Sequence, residues 1–274
     1  MKLGIVGLPN VGKSTLFNAI TGTANAQAAN YPFCTIEPNT GIVAVPDERL
    51  DKLADYWQTD KKTPAVVEFT DIAGLVKGAS KGAGLGNKFL GHIRECEAII
   101  HVVRCFDNDE IMHVVEDATK AVAVDPAGAM ECIDLELLFA ALDMIENRLA
   151  KAIKAGKGGN KEAREEEAFL NEIKAHLEAG NNARTFEYDE SNELYVQVMK
   201  EMGLLSAKPI IYACNMDDDG VLNPEASDYY NIVAKKAASE GAAVLPICAK
   251  TEEELSELDE EEKAMFMDAL GIAE

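Results

Sequence analysis

The apolar positions of the first hundred residues alternate between two periods. "KLGIVG" (2–7), "GIVAVP" (41–46), "AVVEFTD" (65–71) and "AIIHVVRCF" (98–106) are short apolar runs of strand length. Between the first three lie "KSTLFNAIT" (13–21) and the amphipathic "DERLDKLADYW" (47–57), both with helical spacing. From Pro126 to Leu205 the strand period disappears. Leu135, Leu138, Leu142, Ile145, Leu149 and Ile153 recur three or four apart, and Phe169, Ile173 and Leu177 repeat the pattern after the turn "GKGGNKEAR" (156–164). That spacing predicts a long antiparallel helical hairpin, coiled-coil-like in character. The alternation then resumes with the strands "KPIIYACN" (208–215) and "AAVLPICA" (242–249), the helix near 226–241 and a closing acidic helix. The expected architecture is α/β, with a mostly parallel sheet covered by helices on both faces. It is split into residues 1–125 and 206–274, with a helical insertion over 126–205.

Composition narrows the class. A chain of 274 residues with 47% hydrophobic and 27% charged positions can bury an adequate core. No apolar run approaches the roughly 20 residues of a membrane span. The N-terminal run is broken by glycines and a proline, which suits a first strand better than a signal peptide. The six cysteines have no C-x-x-C spacing, so they read as reduced core thiols. A cytoplasmic protein with no membrane partner is expected. The formal charge of −22 argues against broad nucleic-acid binding but leaves room for a local basic patch.

The chemistry begins at "GLPNVGKST" (7–15), which matches G-x-x-x-x-G-K-[ST] in full between a strand and a helix. Such a loop curls backbone N–H groups around phosphates, so Asn10, Val11, Gly12, Lys13, Ser14 and Thr15 are expected to bind a nucleotide. Lys13 would contact the β- and γ-phosphates, and Ser14 would ligate Mg2+. "DIAGL" (71–75) follows a strand one unit later. There Asp71 is a second magnesium residue through water, and Gly74 offers an N–H to the γ-phosphate. Thr35, in "NYPFCTIEPNTG", would complete the metal shell. The strand ending at Asn215 leads into "NMDD" (215–218), which has the spacing of a guanine-reading N-K-x-D motif with Met216 in place of lysine. Cys248, Ala249 and Lys250 stand where an S-A-K loop packs on the base.

Together with "DIAGLVKGASKGAGLGNKFL" and "HVVRCF", these motifs make the chain resemble the YchF-type Obg-like ATPases, a translation-factor-related branch of the P-loop GTPases. The resemblance spans nearly the whole sequence. It implies a Ras-like G domain interrupted by a helical insertion, ATP hydrolysis and association with the ribosome. Members normally continue into a C-terminal TGS domain, which would begin beyond Glu274. The family's base motif usually ends in glutamate, whereas Asp218 restores the carboxylate that guanine prefers. Met216 and Asn215 lean toward adenine, so ATP is favoured with GTP tolerated.

Leu75 occupies the place of the water-orienting glutamine of Ras-like enzymes. Another group must then help, and His113 is the candidate catalytic imidazole beside Lys13 and Gly74. Asn10 is a candidate K+ ligand. The alternatives are a nucleotide-gated binding module with negligible turnover and a GTP-specific GTPase. Arg148, Lys151, Lys154, Lys157, Lys161 and Arg164 gather toward the hairpin tip, a place where an acidic protein can touch rRNA.

Overall fold

A computed structural model of the protein describes residues 1–22, 39–72, 85–108 and 124–270. Four residues of the sequence reading, Thr35, Gly74, Leu75 and His113, lie outside the described residues. Six strands form one sheet: β1 (Lys2–Val6), β2 (Thr40–Ala44), β3 (Val66–Asp71), β4 (Ala98–Arg104), β5 (Ile210–Asn215) and β6 (Ala243–Ile247), in the order β2-β3-β1-β4-β5-β6. All neighbours pair in parallel except β2 and β3. The reason lies in the connecting helix, α2 (Glu48–Trp57), which buries only Ala54. A parallel pair needs a crossover packed over the sheet, and α2 covers almost none of it.

One sheet face is covered by α3 (Leu85–Glu95), the first half of α4 (Pro126–Lys157) and α8 (Asp228–Glu240). Phe89, Ile93, Met130, Ile133, Leu137, Val233 and Tyr212 meet there. The other face is covered by α1 (Lys13–Thr21) and α9 (Ala249–Glu257), around Ile5, Leu16, Ile100, Val102 and Ala249. At β-strand spacings of about 4.8 Å the sheet spans roughly 24 Å from edge to edge.

Helix α4 starts cleanly: the Asp125 side chain accepts from Gly128 N at 2.9 Å, and Pro126 occupies the first turn. Its 32 residues run about 48 Å. Packing partners change midway. From Leu138 onward the buried residues Ala141, Ile145 and Ala152 join Phe169, Leu170, Ile173 and Leu177 of α5 (Lys161–Glu178) and Val198 and Met202 of α6 (Glu193–Met202). The buried seam of the arm thus contains alanines as well as members of the leucine stripe. Phe169 stacks on Tyr195 with ring centroids 4.0 Å apart.

A buried ionic cluster joins this helical unit to the sheet. Arg184 pairs with Glu240 at 2.8 Å and Asp134 at 3.6 Å, while Lys236 pairs with Glu240 at 2.6 Å and Asp134 at 3.1 Å. The Tyr212 hydroxyl of β5 donates to Glu240 at 3.0 Å. The Lys236 and Arg184 charges hold the Glu240 carboxyl below its usual range despite burial. Next to it His101 is fully buried and packs on Tyr212, with both ring nitrogens lacking a partner among the described residues. Burial first, then the Arg184 charge, lower its pKa to about 3. Among the described residues the remaining α-helices are α7 (Asp218–Leu222) and α10 (Glu260–Leu270). Among the described residues no helix is long and apolar enough to cross a membrane.

Candidate functional site

The loop between β1 and α1 is shaped by backbone conformations that most side chains avoid. Asn10 has φ of 60° and Gly12 has φ of 93°. Gly12 is also required for space, since a Cβ there would lie 2.3 Å from Asn215 Nδ2. Gly12 is the N-cap of α1, and no side chain caps the helix. The first-turn N–H groups and the positive end of the helix dipole therefore face the loop without a protein acceptor from a capping side chain.

Lys13 folds back over the loop and donates from Nζ to Leu8 O at 2.6 Å. Burial lowers its pKa, and the nearby Asp71 charge opposes that shift. Ser14 Oγ donates to Asp71 Oδ2 at 2.8 Å, linking α1 to the end of β3 across the sheet. The other carboxylate oxygen, Asp71 Oδ1, is buried and has no hydrogen-bond partner among the described residues. A hydroxyl beside a carboxylate with an orphaned oxygen is a hard-oxygen donor set, the kind that suits Mg2+ and leaves its remaining positions to water and phosphate. Among the described residues no cluster of His, Cys, Asp and Glu gathers as an all-protein metal cage. Thr15, the next residue, is half-buried.

Asn215 ties the phosphate loop to the base-side segments. Its Nδ2 donates to Val11 O at 2.9 Å, and its Oδ1 accepts from Ala249 N at 3.0 Å. Asp218, the first residue of α7, accepts a hydrogen bond from the Thr251 hydroxyl, which also lies 3.2 Å from Cys248 Sγ. Burial raises the Cys248 thiol pKa. Met216 is 2% exposed and sits in the sheet core, with its N–H donating to Ile247 O at 2.8 Å. Lys250 is exposed and 3.7 Å from Glu254. The contacts thus join Ser14 to Asp71, Val11 to Asn215 and on to Ala249, and Thr251 to Asp218, while Met216 is directed inward.

Two further residues shape the site without a strong sequence signal. Thr251 follows the C-A-K loop and orients Asp218. Arg104, buried at the end of β4, donates from Nε to Phe106 O at 3.1 Å and from Nη2 to Asn108 O at 3.0 Å. It fixes the loop that leaves the strand beside Asn215, whose carbonyl accepts from Cys105 N at 2.8 Å.

On the helical arm the cation cluster divides. Arg148 is held by Glu166 and, at 3.0 Å, by Glu201. Arg164 donates to Gly156 O at 3.1 Å and closes the end of α4. Lys151, Lys154, Lys157 and Lys161 remain exposed at the tip. The expected six-cation patch is smaller because two arginines serve the hairpin itself.

A family model described as a 50S ribosome-binding GTPase matches residues 2–133. The ribosome-binding ATPase YchF of Bacillus subtilis is 49% identical over 271 residues, covering 99% of this chain and 71% of that protein. The protein of the same description from Haemophilus influenzae is 50% identical over 273 residues, covering 100% and 72%. Among solved structures, the YchF GTPase of Schizosaccharomyces pombe aligns with a TM-score of 0.81 at 37% identity, over 99% of this chain and 71% of that one.

Proposed function

This chain belongs to the YchF family, and from that premise we propose that it is a Mg2+-dependent nucleoside triphosphatase, ATP-preferring, acting as a ribosome-associated switch in the cytoplasm. One observation carries the reading: Ser14 Oγ meets Asp71 Oδ2 at 2.8 Å beside a buried Lys13 and an uncapped helix start. In this reading the loop N–H groups and Lys13 hold the triphosphate and meet the charge that builds on it during transfer. Ser14 and Asp71 would hold Mg2+, together with Thr35, and the ion neutralises phosphate charge when bound. Gly74 and His113 complete the proposed catalytic set, with His113 orienting the attacking water. Asn10 as a K+ ligand belongs to the same proposal. K+ dependence of turnover that vanishes in Asn10→Ala tests it.

Base choice rests on the loop around Asn215. Asn215, Ala249 and Cys248 are proposed to flank the base, with Lys250 at its rim. A second reading, GTP use, is favoured by Asp218, whose carboxylate the Thr251 hydroxyl holds in place. Guanine offers N–H donors to such a carboxylate, and adenine does not. Calorimetric competition of ATP against GTP separates the two. Tighter ATP binding is expected, and a clear GTP preference would replace that assignment.

The split arrangement, 1–125 with 206–274 around an inserted 126–205, is proposed to turn the helical arm into a ribosome contact. Lys151, Lys154, Lys157 and Lys161 supply its positive tip, suited to rRNA phosphates. Reversing Lys154 and Lys157 to glutamate should weaken ribosome binding and flatten its salt dependence. An unchanged salt slope would remove the arm from the contact.

A further inference from the structure

Helix α2 presents an apolar stripe that no other element covers among the described residues. Leu53, Tyr56 and Trp57 stand at positions i, i+3 and i+4, on one helix face, and are 57%, 78% and 72% exposed. Tyr56 and Trp57 form an edge-to-face pair with centroids 5.5 Å apart. Trp57 is the chain's single tryptophan. The helix follows β2, the edge strand of the sheet, in the chain, and Val45 between the two is also exposed. An ordinary surface helix buries such a stripe, and aromatic residues of this kind are the usual anchors of protein interfaces.

Charge indicates what can cover it. Of the four cations in 48–62, three are already tied to neighbouring carboxylates: Arg49 to Asp47, Lys52 to Glu48 and Lys62 to Asp51. A surface that stacks single-stranded nucleic acid surrounds its aromatics with cations facing the backbone, and here three of the four are already neutralised. Size is equally informative. The three side chains offer roughly 400 Å2, given 150–250 Å2 for each aromatic. That is about half of what one partner gives a stable stand-alone interface, too little for a dimer of this chain through this face. It suits an accessory anchor on a large partner that is also gripped elsewhere, where the second contact is gained at high effective concentration.

We propose that the Leu53–Tyr56–Trp57 face of α2 docks into an apolar groove of a protein component of the ribosome, as a second anchor beside the arm tip. The inference rests on the ribosome reading above. In the chain α2 joins the edge strand β2 to β3, whereas α4, which carries the arm, packs toward β4 and β5.

The test is co-sedimentation of the protein with purified ribosomes over a range of salt, comparing the parent chain with the double variant Tyr56→Ser, Trp57→Ser. Both side chains are largely exposed, and unchanged ATP affinity checks that the variant is folded. Ribosome affinity should fall tenfold or more while the salt slope stays the same, because the lost contact is uncharged. Undiminished affinity of the variant overturns the proposal and leaves the ribosome reading standing; failure of the parent chain to bind ribosomes overturns both. A photo-cross-linking amino acid in place of Trp57 should couple to ribosomal protein, and coupling to rRNA would overturn the assignment. Concentration-dependent dimerisation that the double variant abolishes would assign the face to a second copy instead.

Discussion

Lys13 and Glu240 are both buried charges, and their surroundings differ in a way that separates a binding site from a structural joint. Glu240 shares its site with Asp134, Arg184 and Lys236, two acids facing two cations, with the Tyr212 hydroxyl added. The charge there is balanced, although Arg184 Nε and Nη2 keep no hydrogen-bond partner among the described residues. Lys13 instead gives its ammonium to a main-chain carbonyl, beside a carboxylate whose second oxygen is orphaned. Its charge is carried at a cost that burial imposes and that no ion pair at contact distance among the described residues offsets. A buried cation left in that condition is set up for a negative ligand, whereas the balanced cluster holds two parts of the fold together.

Substitutions should therefore act in opposite ways at the two places. Lys13→Met should abolish triphosphate binding, a loss of at least about a thousandfold or ~4 kcal/mol, measured by calorimetry. The nucleotide-free protein should melt no lower, and about 2 °C higher if roughly 1 kcal/mol of burial cost is relieved. Retained affinity would refute the loop assignment. Arg184→Met should do the reverse: removing one partner of a buried cluster costs about 3–5 kcal/mol, while ATP affinity of the folded protein stays within a few-fold. A collapse of ATP affinity in folded Arg184→Met would erase the distinction between the regions.

Acid should find the joint before the site. The unfolded chain protonates His101 near 6.5, while the folded protein resists until about 3. The unfolded state then binds more protons, so stability falls as pH is lowered from about 6.5 toward about 3, by at most about 1.4 kcal/mol per pH unit. Glu240 adds to this only below its ordinary value of 4.5, where its depressed pKa makes the paired form progressively lost. His101→Leu should flatten the upper part of that acid limb in denaturant titrations between pH 6.5 and 5. An identical limb in the variant would show that His101 is not the group responsible.

Legibility followed sequence proximity. The strands, the phosphate loop and α1 could be read from local spacing, since each is encoded by adjacent residues, and α1 begins at Lys13 as the glycine loop requires. The direction of β2 could not, because it depends on whether α2 crosses the sheet, and α2 has the length but not the burial to do so. The arm's leucine stripe was visible, yet the alanines buried in its seam were not, since small residues carry little pattern of their own. The ionic cluster draws Asp134, Arg184, Lys236 and Glu240 from three separated segments, and only the i, i+4 pair Lys236–Glu240 was local enough to see. Within the site, Asn215 was legible from its motif. The Thr251 contact to Asp218 depends on how α7 and α9 meet.

The activity proposed for this chain is cleavage of nucleoside triphosphates at the Lys13–Ser14–Asp71 site, as a ribosome-associated ATPase. Single-turnover cleavage of γ-labelled ATP, with Mg2+ and with and without ribosomes, tests it most directly. The expected result is release of labelled phosphate that ribosomes accelerate and that Lys13→Met abolishes. No phosphate release from ATP under any of these conditions would contradict it.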